Sequence, residues 1–157
     1  LYDPRLDQYF VTADPGELAV LPRPDLDGRG WYVNDGSFHV YPAGWTATPT
    51  APVCRFYGMP EAGLDSHLLS ADPDECAALE RAPQWILESR DVFRVELPDP
   101  ATGACAGGRA PVFRLWNGRR DAGHVLSTSR PLRDFLVKQG YVAEGWGPLG
   151  VAMCSAP

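Results

Sequence analysis

Apolar and polar positions along this chain come in short bursts, and the same order of bursts occurs three times. In the second occurrence Arg55-Phe56-Tyr57 alternates as a half-buried strand does, and a turn follows at Gly58-Met59-Pro60-Glu61-Ala62-Gly63. His67-Leu68-Leu69-Ser70 predicts a second strand, matched by Tyr9-Phe10-Val11-Thr12 before it and His124-Val125-Leu126-Ser127 after it. A helix start comes next. Asp14-Pro15-Gly16-Glu17 and Asp72-Pro73-Asp74-Glu75 each put Asp at the N-cap, Pro at the first helical position and Glu at the third, the spacing of a capping box. The third copy has Ser129 at the cap and Pro131 in the first turn, with helix over Leu132 to Val137. These short helices are expected to end near Leu21, Glu80 and Gln139, with Gly140 at the last C-terminal cap. Each copy then restarts on an aromatic residue (Trp31, Trp85 or Tyr141) that opens one or two more strands. In the second copy Trp85, Leu87, Val92, Phe93 and Val95 are the predicted inward side chains.

The anchors are evenly spaced. Tyr9 to His67 is 58 positions and His67 to His124 is 57, while Trp31 to Trp85 is 54 and Trp85 to Tyr141 is 56. A fixed period of this size marks similar supersecondary units stacked on one another, since one unit alone cannot bury its apolar face. The expectation is one α+β domain over residues 1–157, with three ββαβ-type repeats in a pseudo-threefold, trefoil-like arrangement and short helices on the rim. The repeats are placed at 1–43, 52–97 and 111–154, separated by Pro- and Gly-rich joints.

Net charge is −6 with an isoelectric point near 4.9. A nucleic-acid binder needs a basic stripe, and here scattered arginines and the lone Lys138 stand among 20 acids. Nucleic acid and anionic membrane are set aside as partners. No apolar run approaches the roughly 20 residues that span a bilayer, so no membrane insertion is expected. Opening at Leu1 inside a copy, without Met, suggests a processed or truncated chain. Cys54, Cys76, Cys105 and Cys154 form no CxxC pair, which leaves the usual zinc and thioredoxin motifs aside. In an exported protein they make two disulfides from three possible connectivities. Cys54–Cys76 and Cys105–Cys154 are favoured, each stabilising by about 3 kcal/mol. Four reduced thiols in a cytosolic protein are the alternative.

Several constellations could carry chemistry, each with a plainer structural counterpart. His67 and His124 are equivalent and could act as acid–base groups or metal ligands; equally, each imidazole could bond a backbone carbonyl or its own copy's glutamate. Tyr9 at the same place shows that imidazole is not required there. Arg55 and Arg114 recur with Glu88 and Glu144, which suits either an ion pair inside each copy or a polar pocket. No GxSxG elbow marks a nucleophilic serine, and Asp72/Asp74 fall where helix capping explains them. No catalytic residue, metal or cofactor is expected. The aromatics Trp45, Tyr57, Trp116 and Trp146, with Asn117 beside Trp116, are the candidate ligand contacts. Sugar rings stack on such faces while their hydroxyls take polar partners. The same rings could instead close the core.

These residues resemble a bacterial repeat family whose hallmark runs PVYRFYN, HFYT-S-x-x-E, then W-x-x-E-G-x-x-F. The matching stretches are Pro52 to Tyr57, His67 to Glu75 and Trp85 to Glu88, then Pro111 to Asn117, His124 and Tyr141 to Gly145. The resemblance covers nearly the whole chain. The family is a domain of unknown function that accompanies secreted hydrolases and other exported bacterial proteins. It implies a secreted or cell-surface location and a non-catalytic accessory role. This chain departs from the pattern at Tyr9, at Asn34 in place of glutamate, and at the HFYT aromatic pair, reduced here to Leu68-Leu69 and Val125-Leu126. The expected function is a non-catalytic module that binds a glycan or extracellular polymer through repeated turn edges. The alternatives are a docking module for another exported protein and, third, a small hydrolase using one copy's histidine.

Overall fold

The computed structural model describes residues 1–21, 30–34 and 36–157 of the chain. It is a mixed α+β fold of small antiparallel sheets and short helices. The first copy supplies β1 (Tyr2–Asp3), β2 (Gln8–Tyr9) and α1 (Pro15–Val20). The second supplies β3 (Ala51–Pro52), β4 (Cys54–Gly58), β5 (His67–Ser70), α2 (Pro73–Glu80), β6 (Trp85–Ser89) and β7 (Arg94–Val95). The third supplies β8 (Pro111–Trp116), β9 (His124–Ser127), α3 (Arg130–Lys138), β10 (Val142–Glu144) and β11 (Val151–Cys154).

Pairing registers coincide from copy to copy. Tyr57 lies opposite His67 on one edge and Ile86 on the other. Trp116 lies opposite His124 and Val142, and Tyr2 opposite Tyr9 and Tyr32. Each hairpin between these strands passes through one left-handed non-glycine residue two positions before the His/Tyr anchor: Asp7, Asp65 and Ala122, at φ 52°, 53° and 53°. In two of them the aspartate accepts from the tyrosine across the hairpin, Tyr2 Oη to Asp7 at 3.0 Å and Tyr57 Oη to Asp65 at 2.8 Å. The third copy has Trp116 and Ala122 at the two positions, so hydroxyl and carboxylate are replaced together. The hairpin tips approach one another. Arg119 bridges to Asp7 at 2.7 Å, and the Arg120 side chain lies against Gly63.

Apolar residues two places after each anchor (Val11, Leu69 and Leu126) join one cluster with Val53, Val112, Phe93, Val95 and Met153. That core draws on all three copies, which the period of the sequence demands. A second cluster gathers Phe113, Leu115, Val125 and Val151, with Tyr9 of the first copy packed against it.

Three local expectations are corrected. The predicted strand over Tyr9 to Thr12 keeps strand pairing only at Gln8–Tyr9. The run from Trp31 gives single bridges at Tyr32 and Tyr41 rather than strands, because Asn34, Gly36 and Ser37 are turn formers inside it; Asp35 lies outside the described residues. The capping-box glutamates do not turn back on their own helices. Asp14 and Asp72 do cap, accepting from Gly16 N at 2.7 Å and Asp74 N at 2.9 Å. Glu17 and Glu75 reach into the next copy instead, where a charged, two-pronged partner outweighs one neutral amide bond.

Candidate functional site

The polar centre of the molecule is a pair of arginine forks. Arg114, on the central strand β8, is buried and donates Nη1 and Nη2 to both oxygens of Glu75, at 2.7 and 2.8 Å. Its Nε donates to Glu144 of its own copy at 3.0 Å, and Nη1 also to the Leu69 carbonyl at 3.0 Å. Arg55 repeats this on β4, with Glu17 at 2.9 and 2.6 Å and Glu88 at 2.8 Å. The histidines sit beside the same glutamates, His124 Nε2 3.2 Å from Glu144 and His67 Nε2 3.6 Å from Glu88. Ser70 and Ser127 bind the backbone N–H two residues on, as Thr12 does in the first copy. Among the described residues no group of three His, Cys, Asp or Glu is placed to hold a metal ion.

Burial pushes the Glu75 carboxyl up, but the Arg114 guanidinium outweighs it and holds it below the ordinary range. Glu144 behaves alike, with burial opposed by His124 and Arg114. Glu88 is held down first by His67, and Glu17 first by Arg55. All four carboxylates are therefore ionised well into mild acid.

Beside the second fork lies a cleft of about 290 Å³, lined by Ser70, Asp72, Glu75, Arg114, Glu144 and Trp146, with Ala71, Gly145 and Ala152 completing it. Trp146 is held by reciprocal backbone bonds with Val151, both at 2.9 Å. Glycine is required on either side of it. A Cβ on Gly145 (φ 140°) would sit 2.5 Å from the Val151 carbonyl, and one on Gly147 (φ 64°) 2.3 Å from Thr102. The Asp99–Cys105 loop packs behind, tied to β11 by the Cys105–Cys154 disulfide. The Cys54–Cys76 disulfide joins β4 to α2, so it runs from the residue beside Arg55 to the residue beside Glu75.

The cleft offers acceptors. Asp72 Oδ1 caps α2, whereas Asp72 Oδ2 and Glu144 Oε1 have no hydrogen-bond partner among the described residues. At the matching place in the first fork Arg90 replaces Trp146 and pairs with Glu80 through two 2.8 Å bonds.

The other sequence candidates are dispersed. Trp45 stacks on Tyr41 at 5.5 Å and donates Nε1 to Thr48. Tyr57 lies against His67, its hydroxyl held by Asp65 and its pKa pushed up to about 12 by burial and that bond. Asn117 Nδ2 donates to Asp121 inside its turn, and Trp116 ends β8 between His124 and Val142. None of these four lines the Trp146 cleft. Sequence reasoning paired each arginine with the glutamate of its own copy and missed Glu17 and Glu75. Their matched place, third in two successive helices, was the available signal. Comparison with protein-family models, with curated proteins and with solved structures returns no match to this chain.

Proposed function

We propose that this chain is a non-catalytic, extracellular binding module that holds a glycan or similar hydroxyl-rich polymer in the Trp146 cleft. One observation carries the proposal: a half-buried tryptophan lines a small cleft with Asp72 and Glu144, each of which has one carboxylate oxygen without a hydrogen-bond partner among the described residues. Sugar rings take this combination, laying C–H faces on the indole and donating hydroxyls to charged acceptors. Two disulfides support an oxidising, exported setting, in keeping with the resemblance to secreted accessory modules. Among the described residues no helix is long and apolar enough to cross a membrane. The same reading takes residues 1–157 as one domain whose copies, 1–43, 52–97 and 111–154, close a trefoil-like pseudo-threefold ring. The matching registers, the shared apolar cluster and the contact of Tyr9 with the third copy's core support it. Trp146 has no aromatic counterpart at Arg90, so the site belongs to the second fork and is not repeated at the first.

A screen of soluble glycans and polysaccharides tests the proposal, with Trp146→Ala, Trp146→Phe and Trp45→Ala alongside. The expected result is binding that Trp146→Ala abolishes, Trp146→Phe partly keeps and Trp45→Ala leaves alone, with all three melting like the parent. Binding that ignores Trp146 would sink this site. Leu132 and Phe135, 39% and 56% exposed and three apart on α3, favour a second reading as a protein-docking module. That reading gains only if the glycan screen is blank and Phe135→Ser weakens association with an exported partner.

A further inference from the structure

Resting on the glycan reading above, we infer that the ligand of the Trp146 cleft is cationic: a sugar bearing a free ammonium group among its hydroxyls, as in a de-acetylated amino sugar. The cavity fixes the scale. At about 290 Å³ it is at the lower limit of ligand pockets and suits one pyranose ring rather than a stretch of polymer. Its charge fixes the sign. Asp72, Glu75 and Glu144 line it beside one guanidinium; Arg114 is spent on Glu75, Glu144 and the Leu69 carbonyl, and the nearby His124 imidazole on Glu144. An anionic sugar would therefore find no open cation.

Nor is the start of α2 open to an anion. The Asp72 side chain takes the N–H groups of Asp74 and Glu75, and the Asp72 carbonyl takes that of Cys76. What remains without a hydrogen-bond partner among the described residues is Asp72 Oδ2 and Glu144 Oε1, and Trp146 shares the lining with them. All three attract an ammonium, the oxygens by charge-assisted hydrogen bonds and the ring by its quadrupole. The −6 net charge adds a field that draws a polycation toward the surface. A neutral N-acetylated ring keeps the stacking but loses the charge, so this pocket would discriminate by acetylation.

Calorimetric titration of the intact chain at about pH 6, where the amine is protonated, tests this with glucosamine oligomers and N-acetylglucosamine oligomers of equal length. A neutral glucan and a uronate oligomer complete the set. The expected result is at least about tenfold tighter binding of the de-acetylated oligomer, lost in Trp146→Ala and reduced as salt rises from about 0.05 to about 0.5 M. Asp72→Asn keeps the helix cap and removes one charge, so it should narrow the preference without unfolding the protein; Glu144→Gln is the second variant. Equal, Trp146-dependent binding of both oligomers, or tighter uronate binding, overturns the cationic inference and leaves the glycan site standing. No Trp146-dependent binding of any sugar overturns both.

Discussion

The second and third copies share a frame and differ in what they do with it. Each holds its central arginine between the helix of the preceding copy and a strand of its own. Two residues beyond the strand glutamate they part, at Arg90 and Trp146. The second copy closes this position with an exposed ion pair to Glu80, and the third places Trp146 in the lining of a cleft with Asp72, Glu75 and Glu144. The tips part as well, Tyr57–Asp65 against Trp116–Ala122. The arginine forks are therefore repeated while the position beside them has diverged, and ligand chemistry is to be sought where the two copies differ.

The sharpest way to break this comparison is to remove the arginines. Arg114→Ala leaves Glu75 and Glu144 facing each other without the guanidinium between them and should cost about 3–5 kcal/mol in urea unfolding. Arg55→Ala should cost somewhat less, since among the described residues Arg55 makes no bond to a carbonyl of the preceding copy. A larger loss for Arg55 would mean that the first fork, not the second, governs the fold. Next come the disulfides. Replacing Cys105 and Cys154 by Ser opens a 49-residue separation and should cost about 4 kcal/mol; Cys54 and Cys76 close 22 residues and should cost about 3. Equal shifts in melting temperature would show that loop length does not separate the two copies.

Acid should act on both forks at once. Each of the four glutamates has a folded pKa below the ordinary 4.5, so between those values the unfolded chain binds more protons. Their stabilisation is complete above about 4.5 and is lost as pH falls through the folded values. Urea midpoints that stay flat down to about pH 3 would contradict this. The smallest effect belongs to the hairpin tips. Ala122→Gly relieves a left-handed alanine with no partner and should raise stability by about 1 kcal/mol. Asp65→Gly relieves the same strain but gives up the Tyr57 bond, and should gain nothing.

Much of the frame could be read from residue order. Asp-Pro pairs announced α1 and α2, the recurring His and Tyr anchors marked β5 and β9, and the cysteine spacing favoured the pairs that form. The glutamates at the third helical position were ambiguous, because a capping box and a charge pair use the same residue type. Only tertiary placement brings Arg55 and Arg114 to them. The cleft was less legible. Trp146 ranked beside Trp45, Tyr57 and Trp116, and nothing local says which of them shares a cleft with carboxylates. That depends on a glycine turn docking against β11 and on a loop bridged through Cys105.

The arginine forks also constrain how the chain can come to its final state. Arg55 waits for a helix 38 residues behind it and a strand 33 ahead; Arg114 waits for partners 39 behind and 30 ahead. Neither fork is complete until elements from two copies are in place, so these contacts belong to the late, non-local part of folding. A copy cut out at the Pro-rich joints would keep its strands and lose half of a fork. The period visible in the sequence is thus a unit of pattern, and no single period holds a complete fork.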